Sequence, residues 1–458
     1  MWKNACSRPS RYKAALFGAA VVSCIAAGPA EAQVPLDESA KQQFFIAGFG
    51  EHTDNLNRLY DNKIAALVYG VGGGFDLNAN RRRVQARLQG DLAYLDSDED
   101  SYKGGVLGNV IGRANLAAIP NRVNWFVEGA YGQVPVDERL ADTPLNRQRF
   151  TSYKTGPEVI VPLSVRDLLR LSGSYSATDY GASLDDYSRI EESIALRHLL
   201  TASQTLSLLG TTISTQYGRE DVFADYHEDR AFLEWSANGA RTNLLVQAGY
   251  DVLRIQSDRL GSNLFNVRVT RKVGQLSVLI LQVDQQLSDT SAAFARRIDL
   301  VGVGGGAVNV STGPGLFRER SARISFKTVS SQLEINLSSS YEEDRYQDST
   351  TLQANDRDLI LSNLSVFYAT TPSFTVGVFG DMTNADYVLQ NFTYTEWDAG
   401  LVLSYRFARS FGLQLSGARS KRNGGPQTGG FEENVARLGL YYAVGATPLD
   451  LHERPGRR

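Results

Sequence analysis

Residues 84–94 read VQARLQGDLAY, a stretch in which apolar and polar side chains take turns along the chain. The two alternating sets are Val84, Ala86, Leu88 and Leu92 against Gln85, Arg87, Gln89 and Asp91. A strand with one face towards lipid and the other towards water has this period of two, and few strands of soluble proteins sustain it for so long. The stretch therefore predicts a membrane-crossing β-strand.

The same pattern recurs along the chain. Residues 397–407 (WDAGLVLSYRF) alternate in this way and have aromatic residues at both ends, as in the aromatic girdles of membrane barrels. Residues 322–327 and 333–341 repeat it. We count about 20 candidate strands, within two, centred near Ala47, Leu67, Leu88, Gly112, Val127, Thr155, Ser172, Leu196, Leu208, Leu233, Val246, Val267, Leu279, Ser325, Leu337, Leu364, Val376, Leu401, Leu415 and Leu438. The predicted fold is all-β, a transmembrane antiparallel outer-membrane β-barrel of about 18–20 strands.

The connections between these strands alternate between short and long. Short ones lie near Pro120, Gly239, Gly274 and Pro372. Long ones are predicted at residues 95–104, 135–147, 177–187, 289–318, 344–356 and 421–433. Short periplasmic turns and long external loops are typical of outer-membrane barrels, and an even number of strands places both barrel ends in the periplasm.

The first 32 residues have the layout of a secretory signal peptide. Basic residues precede an apolar stretch (residues 14–27) that is too short to span a membrane, and Ala30 and Ala32 form a cleavage site. A lipoprotein site at Cys24 is the alternative. The predicted organisation is a signal peptide (1–32), a short periplasmic N-terminal segment (33–43), the β-barrel (44–442) and a C-terminal tail (443–458). We expect an integral protein of the outer membrane of a Gram-negative bacterium.

The amino-acid composition argues against several classes of site and of protein. Both cysteines, Cys6 and Cys24, lie in the leader, so cleavage after Ala32 leaves no disulfide and no cysteine-ligated metal. Without the four basic residues and one acidic residue of the leader, 43 Lys and Arg face 49 Asp and Glu, a net charge of −6. This charge argues against nucleic-acid binding. No second run of 18 apolar residues predicts a membrane helix, and no repeat of about 40 residues indicates a propeller.

Charged residues within the strands fall on the polar face. A charge facing lipid at mid-membrane costs about 2–4 kcal/mol, so these side chains are expected to face a wide, wet lumen that holds both signs of charge. They can also pair across strands and brace the wall. The predicted lumen-lining residues are Arg87, Asp91, Arg113, Glu128, Arg170, Arg197, Glu234, Arg268, Arg323, Lys327, Glu334, Asp398, Arg406 and Arg437.

The long connections carry weaker signals. The stretch from Asp289 to Arg318 contains glycines at 302 and 304–306 and is interpreted either as a constriction that folds into the pore or as an external loop. Acidic clusters at residues 96–100, 185–186 and 342–344 are expected to be solvated loop charges, with cation bridging to lipopolysaccharide as the alternative. Among the histidines only His227 has acidic neighbours, which is too little for a catalytic site. We predict no enzyme activity, no metal and no cofactor.

At about 16–18 strands a barrel encloses an aqueous channel, so the size predicts passage of solutes. Plugged transporters have about 22 strands and an N-terminal plug, which the short segment ahead of the first strand argues against.

The alternating Arg-, Asp- and Tyr-rich strands and the closing residues 437–442 (RLGLYY) resemble the β-barrel porin type 2 family. That resemblance implies a conduit for exopolysaccharide or capsular polysaccharide export, working with a periplasmic polysaccharide export protein. The resemblance also has departures: residues 443–458 follow the closing aromatic pair, and no helical repeats precede the barrel.

Neutral groups such as Gln85, Asn336 and Gln414 would offer weak, replaceable hydrogen bonds to sugar hydroxyls. Arg87, Arg113 and Arg323 would attract anionic groups. The main alternative is a general diffusion porin for small hydrophilic solutes, and a third is a structural or adhesive barrel.

Overall fold

The computed structural model describes residues 42–99, 104–137, 139–181, 186–218, 224–255, 258–288, 316–347, 355–424 and 429–445. The strands and one short 3₁₀ helix in this part are β1 (Gln42–Thr53), β2 (Ala66–Asn80), β3 (Val84–Ser97), β4 (Gly105–Ile119), β5 (Val123–Pro135), η1 (Pro144–Asn146), β6 (Arg147–Pro162), β7 (Asp167–Tyr180), β8 (Tyr187–Thr201), β9 (Gln204–Tyr217), β10 (Tyr226–Asn238), β11 (Thr242–Ile255), β12 (Asp258–Lys272), β13 (Ser277–Ser288), β14 (Phe317–Val329), β15 (Leu333–Tyr346), β16 (Arg357–Thr371), β17 (Phe374–Tyr387), β18 (Phe392–Arg406), β19 (Phe411–Arg422) and β20 (Phe431–Val444). No helix within the described ranges is long and apolar enough to span a membrane.

The strands form one closed antiparallel barrel. Each pairs with its neighbours in the chain, and β1 also pairs with β20, where Gly50 lies opposite Leu438. Closure gives the backbone groups of both terminal strands partners, which a bilayer requires because it offers none. The barrel has 20 strands, and each predicted strand centre lies within one of them. The prediction of an all-β fold, a closed antiparallel barrel of about 18–20 strands, is confirmed.

The wall has two chemically different faces. On β15 the side chains of Leu337 and Tyr341 are about half exposed, whereas Glu342 and Asp344, on the opposite face, are buried. The other strands follow the same alternation, for example Leu401 and Leu403 against Ser404 on β18. We call the face with the exposed large apolar side chains the outer face and the opposite one the inner face.

The barrel has two different ends. Turns such as residues 81–83, 120–122 and 202–203 lie at the end where β1 begins and β20 ends, which we call the short-turn end. The opposite end, the loop end, carries the longer connections. In outer-membrane barrels short turns face the periplasm. The alternation of connection lengths is not strict, because the loop-end connection of residues 388–391 is also short.

The strands are longer than the sequence pattern indicated. They contain 12 to 16 residues, more than the about 9–11 that cross a bilayer, so they extend beyond the lipid at the loop end. Glu342, Glu343 and Asp344 therefore lie in β15, and the prediction that they belong to a loop was wrong. The cause is that charges outside the bilayer interrupt the apolar pattern without ending the strand.

The ends of the barrel also lie slightly beyond the predicted 44–442. Strand β1 begins at Gln42 and β20 ends at Val444. The signal peptide, the rest of the periplasmic segment and the C-terminal tail from residue 446 onwards lie outside the described residues and stay predictions.

Because the outer face meets lipid and the inner face meets water, an arginine should destabilise the barrel by different amounts at two adjacent positions. We expect Leu337→Arg, on the outer face midway between Leu333 and Tyr341, to lower the free energy of unfolding in phospholipid vesicles by about 2–4 kcal/mol. Ser338→Arg, on the inner face, should cost far less because water reaches it. Urea titration of both variants measures the difference, and equal costs would contradict the assignment of faces.

Candidate functional site

Every residue predicted to line the lumen lies on the inner face of its strand, opposite the exposed apolar side chains. Some of these residues form ion pairs between neighbouring strands: Arg87 with Asp76 (2.9 Å), Arg170 with Glu158 (3.4 Å), Arg323 with Glu342 (3.2 Å) and Lys327 with Glu334 (3.7 Å). These pairs brace the wall across strands. A role in conduction stays a prediction for the whole set.

Several other predicted residues make polar or ring contacts of different kinds. Glu234 accepts a hydrogen bond from Gln247 (2.8 Å), and Asp398 accepts one from Ser420 (2.8 Å). Arg406 donates to the carbonyl oxygen of residue 372 (2.7 Å). The guanidinium of Arg437 lies 3.5 Å from the ring centre of Phe49. Arg437 and Asp91 are buried, so they are less available to a solute than the sequence pattern suggests.

Three further arginines of the predicted set, besides the ion-paired Arg87 and Arg170, are exposed on the inner face: Arg113, Arg197 and Arg268. Within the described ranges their side chains form no ion pair and no hydrogen bond. Each lies in the half of its strand nearer the short-turn end. This part of the inner wall is therefore wet and basic, although Glu128 on β5 lies opposite Arg113 in register without forming an ion pair with it.

The predicted constriction between Asp289 and Arg318 lies mostly outside the described residues. Only Leu316 and the first two residues of β14, Phe317 and Arg318, are described. The described part instead shows two other connections that fold over the mouth at the loop end. These are loop 1 (residues 54–65, between β1 and β2) and loop 3 (residues 136–146, between β5 and β6).

Loop 1 is held by charges on distant strands. Arg58 donates from Nε to Glu433 Oε2 at 2.9 Å and lies 3.7 Å from Glu396, while Thr53 donates to the other oxygen of Glu433 at 2.6 Å. Leu56 packs against a buried inner-face cluster that includes Phe49. The Glu433 side chain is fully buried, so its charge depends on Arg58.

Loop 3 reaches the same place from the other side. Arg422 on β19 donates to the carbonyl oxygen of Arg139 at 2.7 Å and pairs with Glu396 at 2.7 Å. The Arg139 side chain donates to Gln390 in the connection between β17 and β18 at 2.9 Å. Loop 3 begins where β5 ends, yet it contacts β19 and the connection between β17 and β18. In the order of strands around the barrel, β20 and β1–β4 lie between these two places. We call Arg58, Asp142, Arg147, Glu396, Arg422 and Glu433 the mouth cluster.

Loop 3 is also braced internally. The Asn146 side chain accepts from the backbone N–H of Asp137 at 2.9 Å and donates to its carbonyl oxygen at 2.8 Å. Asp142 receives two hydrogen bonds from Arg147, at 2.6 and 2.7 Å. A loop with this many internal polar contacts holds its shape, so it can act as a fixed constriction.

The electrostatics of the mouth cluster favour the ionised form of Asp142. Burial alone would raise the pKa of Asp142, but the guanidinium groups of Arg147, Arg58 and Arg422 outweigh it and hold the pKa below its ordinary value. The nearby acids Glu433, Glu396 and Asp142 raise the pKa of Arg58 despite its burial. The Asp142 carboxylate therefore stays ionised at neutral pH, beside the guanidinium group that binds it.

Aromatic side chains line the inner face beneath the loop end. This aromatic collar comprises Phe150, Tyr180, Tyr187, Tyr217, Tyr226, Phe317 and Tyr346, all buried in one apolar cluster. Neighbouring rings touch around the wall, as in Phe150 with Tyr180 at 5.4 Å between centres. The collar was not predicted from the sequence. The signal that could have located it is the alternation itself, because Tyr346 is an even number of residues from the inward-facing Glu334 and so shares its face.

The histidines do not assemble a reactive site in the described part of the chain. His227 lies 3.3 Å from Asp229 on β10, and Asp229 also pairs with Arg254 at 2.9 Å. His198 contacts Asp167 at 2.7 Å at the short-turn end. No group of three or more His, Cys, Asp or Glu side chains suited to a metal ion occurs among the described residues.

No protein-family model matches this chain, and no curated protein matches it. Among solved structures, a mutant ferric enterobactin receptor (PfeA) of Pseudomonas aeruginosa aligns with 9% identity and a TM-score of 0.44, covering 89% of this chain and 81% of that chain. The FrpB iron transporter of Neisseria meningitidis aligns with 9% identity and a TM-score of 0.44, covering 88% of this chain and 82% of that chain. The siderophore receptor PirA of Pseudomonas aeruginosa aligns with 10% identity and a TM-score of 0.41, covering 90% of this chain and 81% of that chain. Similarity at this level carries no argument about cargo, and the resemblance to the porin type 2 family stays a prediction.

Removing one charge from the mouth cluster should open the mouth. In Asp142→Asn the carboxylate that Arg147 binds is lost while side-chain size is kept, so we expect loop 3 to loosen and single-channel conductance in planar bilayers to rise. The matched control is Asp179→Asn, whose exposed pair with Arg149 lies outside the cluster and should leave conductance unchanged. Equal conductance in both variants would contradict a constricting loop 3.

The ionisation of Asp142 determines the pH range over which the mouth cluster stays intact. Because the pKa of Asp142 in the folded protein is below that of an unfolded Asp, about 3.9, its contribution is complete above that value and is lost as pH falls through the lowered pKa. We therefore expect wild-type conductance to stay constant from pH 7 to pH 5 and to change only below about pH 4. A transition near pH 6 would show that another group controls the mouth.

Proposed function

We propose that this chain is a gated outer-membrane pore for hydrophilic cargo, and that the cargo is a polysaccharide leaving the cell. The observation that carries the proposal is the contrast between the two ends of the inner face. The short-turn half is wet and polar, whereas the loop end is narrowed by loops 1 and 3 and the mouth cluster. Such a conduit admits cargo from the periplasm and limits leakage at the cell surface.

The inner face offers the contacts that a sliding sugar chain needs. On β7 the inward residues Ser172, Ser174, Ser176 and Thr178 form a row of hydroxyl groups, and Ser172 shares a 2.6 Å hydrogen bond with Ser193 on β8. A hydroxyl-to-hydroxyl hydrogen bond contributes about 0.5–1.5 kcal/mol net, because water competes for both partners. Many such bonds can be exchanged one at a time, so a polymer can move without being held at one point.

The mouth at the loop end supports gating rather than a permanent opening. The charges of the mouth cluster join residues far apart in sequence, such as Arg58 and Glu433, and are buried between the loops and the wall. Cargo that competes for these charges would separate the pairs and so open the mouth. Drive for transport would come from synthesis or from a periplasmic export protein as partner.

The alternative is a general diffusion porin for small hydrophilic solutes. A fixed loop carrying both signs of charge across the mouth is what a size-selective filter requires, and the internally braced loop 3 favours this alternative. The two functions differ in what the cell loses when the protein is absent. Outer-membrane lipids and lipopolysaccharide are the expected surroundings in both cases.

Deletion of the gene separates these functions. We expect deletion to reduce polysaccharide on the cell surface and in the medium while uptake of small hydrophilic solutes stays unchanged. Complementation with the wild-type gene should restore the polymer. Normal polymer with reduced solute uptake would exclude the export conduit and leave the diffusion porin.

A further inference from the structure

This inference rests on the proposed conduit and names its cargo class. We propose that the short-turn end is the entrance for an anionic polysaccharide, held by unpaired arginines that continue from the rim into the lumen. Two observations carry it: a basic rim with few acids, and exposed arginines deeper on the inner wall.

The short-turn rim is strongly basic. Its turns and strand ends carry the exposed residues Arg81, Arg82, Arg83, Arg122, Arg166, Arg241, Arg271, Lys272 and Arg409. Where the structure describes the chain, none of these side chains forms an ion pair. The acids nearby are already engaged, because Asp167 binds Ser164 and His198, and Glu334 lies beside Lys327. The rim therefore presents uncompensated positive charge to the periplasm.

The positive charge continues inside the barrel. Arg197 and Arg268 lie four residues from the short-turn ends of β8 and β12, a distance of about 13 Å along each strand. Arg113 lies six residues from the end of β4, between Arg87 on β3 and Glu128 on β5 in register, and it forms an ion pair with neither. Arg87 is already paired with Asp76. These lumen arginines are exposed, so a polymer within the pore can reach them.

The position of these arginines inside the lumen distinguishes a polymer that enters the pore from a protein or lipid that binds only at the rim. A basic rim alone would suit an acidic periplasmic protein or anionic lipid headgroups. Neither reaches Arg113, Arg197 or Arg268, because these side chains face the interior of the barrel. A flexible chain that threads the pore contacts rim and lumen in succession, so the observations favour anionic cargo.

The loop end does not oppose the exit of such cargo. Its inner-face acids are largely neutralised by arginines: Glu228 by Arg230 (2.6 Å), Asp344 by Arg357 (3.1 Å), Glu396 by Arg422 (2.7 Å) and Glu433 by Arg58 (2.9 Å). The unpaired positive charge is thus concentrated where cargo enters. Guanidinium groups bind carboxylates in a forked geometry, and a uronic-acid polymer presents one carboxylate per sugar unit. Because the contacts are solvent-exposed, they stay weak enough to exchange.

Binding of a defined oligomer tests the proposal. The probe is an oligogalacturonate of fixed length, titrated calorimetrically into the purified barrel in detergent, with a neutral dextran oligomer of equal length as reference. The lumen variant is Arg113→Gln/Arg197→Gln/Arg268→Gln. The control variant removes three arginines at the loop end, Arg149→Gln/Arg254→Gln/Arg259→Gln, and heat-modifiable migration on gels verifies folding of both.

We expect the oligogalacturonate to bind wild type more tightly than dextran does, and to lose affinity as salt rises. The lumen variant should bind about tenfold more weakly, and the control variant should stay within about twofold of wild type. Unchanged affinity in the lumen variant would overturn the inference and assign the rim to a docking protein or lipid. Equal loss in both variants would also overturn it, since that result indicates diffuse attraction.

Complementation separates failure of this inference from failure of the proposed function. If deletion leaves surface polysaccharide unchanged, the conduit itself is wrong. If deletion abolishes the polymer and the lumen variant restores it fully while binding wild-type amounts of oligogalacturonate, the conduit stands and the anionic cargo is wrong. Loss of both binding and restoration in the lumen variant alone supports the inference.

Discussion

Inside a bilayer every backbone N–H and C=O group needs a partner within the protein, and the rest of this structure depends on that constraint. The pairing of β1 with β20 satisfies it by closing the sheet, so no strand edge faces lipid. Closure also fixes the two faces, because alternate side chains on every strand must point into one shared interior. The exposed Leu337 and the buried Glu342 are consequences of the same geometry.

The strands continue past the lipid, and this extension creates the mouth. Beyond the bilayer the inner face need not line a water-filled channel, so charges and aromatic rings can be buried there when they are paired or packed. The aromatic collar and the mouth cluster occupy this zone. Arg357 with Asp344 shows the same principle, since both side chains are almost completely buried and the guanidinium compensates the carboxylate.

The two ends of the lumen consequently differ in how their charges are paired. At the loop end, charge is paired and held between wall and loops, so a solute must displace existing contacts to pass. At the short-turn end, Arg113, Arg197 and Arg268 are exposed on the inner face and form no ion pair within the described residues. Under the proposed function, a polymer entering from the periplasm would meet attraction first and resistance last.

The sequence by itself determined the barrel. Lipid imposes the period of two on every strand, so the pattern at residues 84–94 or 397–407 locates strands, faces and approximate strand number without any knowledge of tertiary contacts. It could not determine where strands end beyond the membrane, because charges such as Glu343 no longer report lipid there. Nor could it place loops 1 and 3 across the mouth. Their anchors, Arg58 with Glu433 and Arg139 with Arg422, are brought together only when the barrel closes, since no local pattern links residues several hundred positions apart.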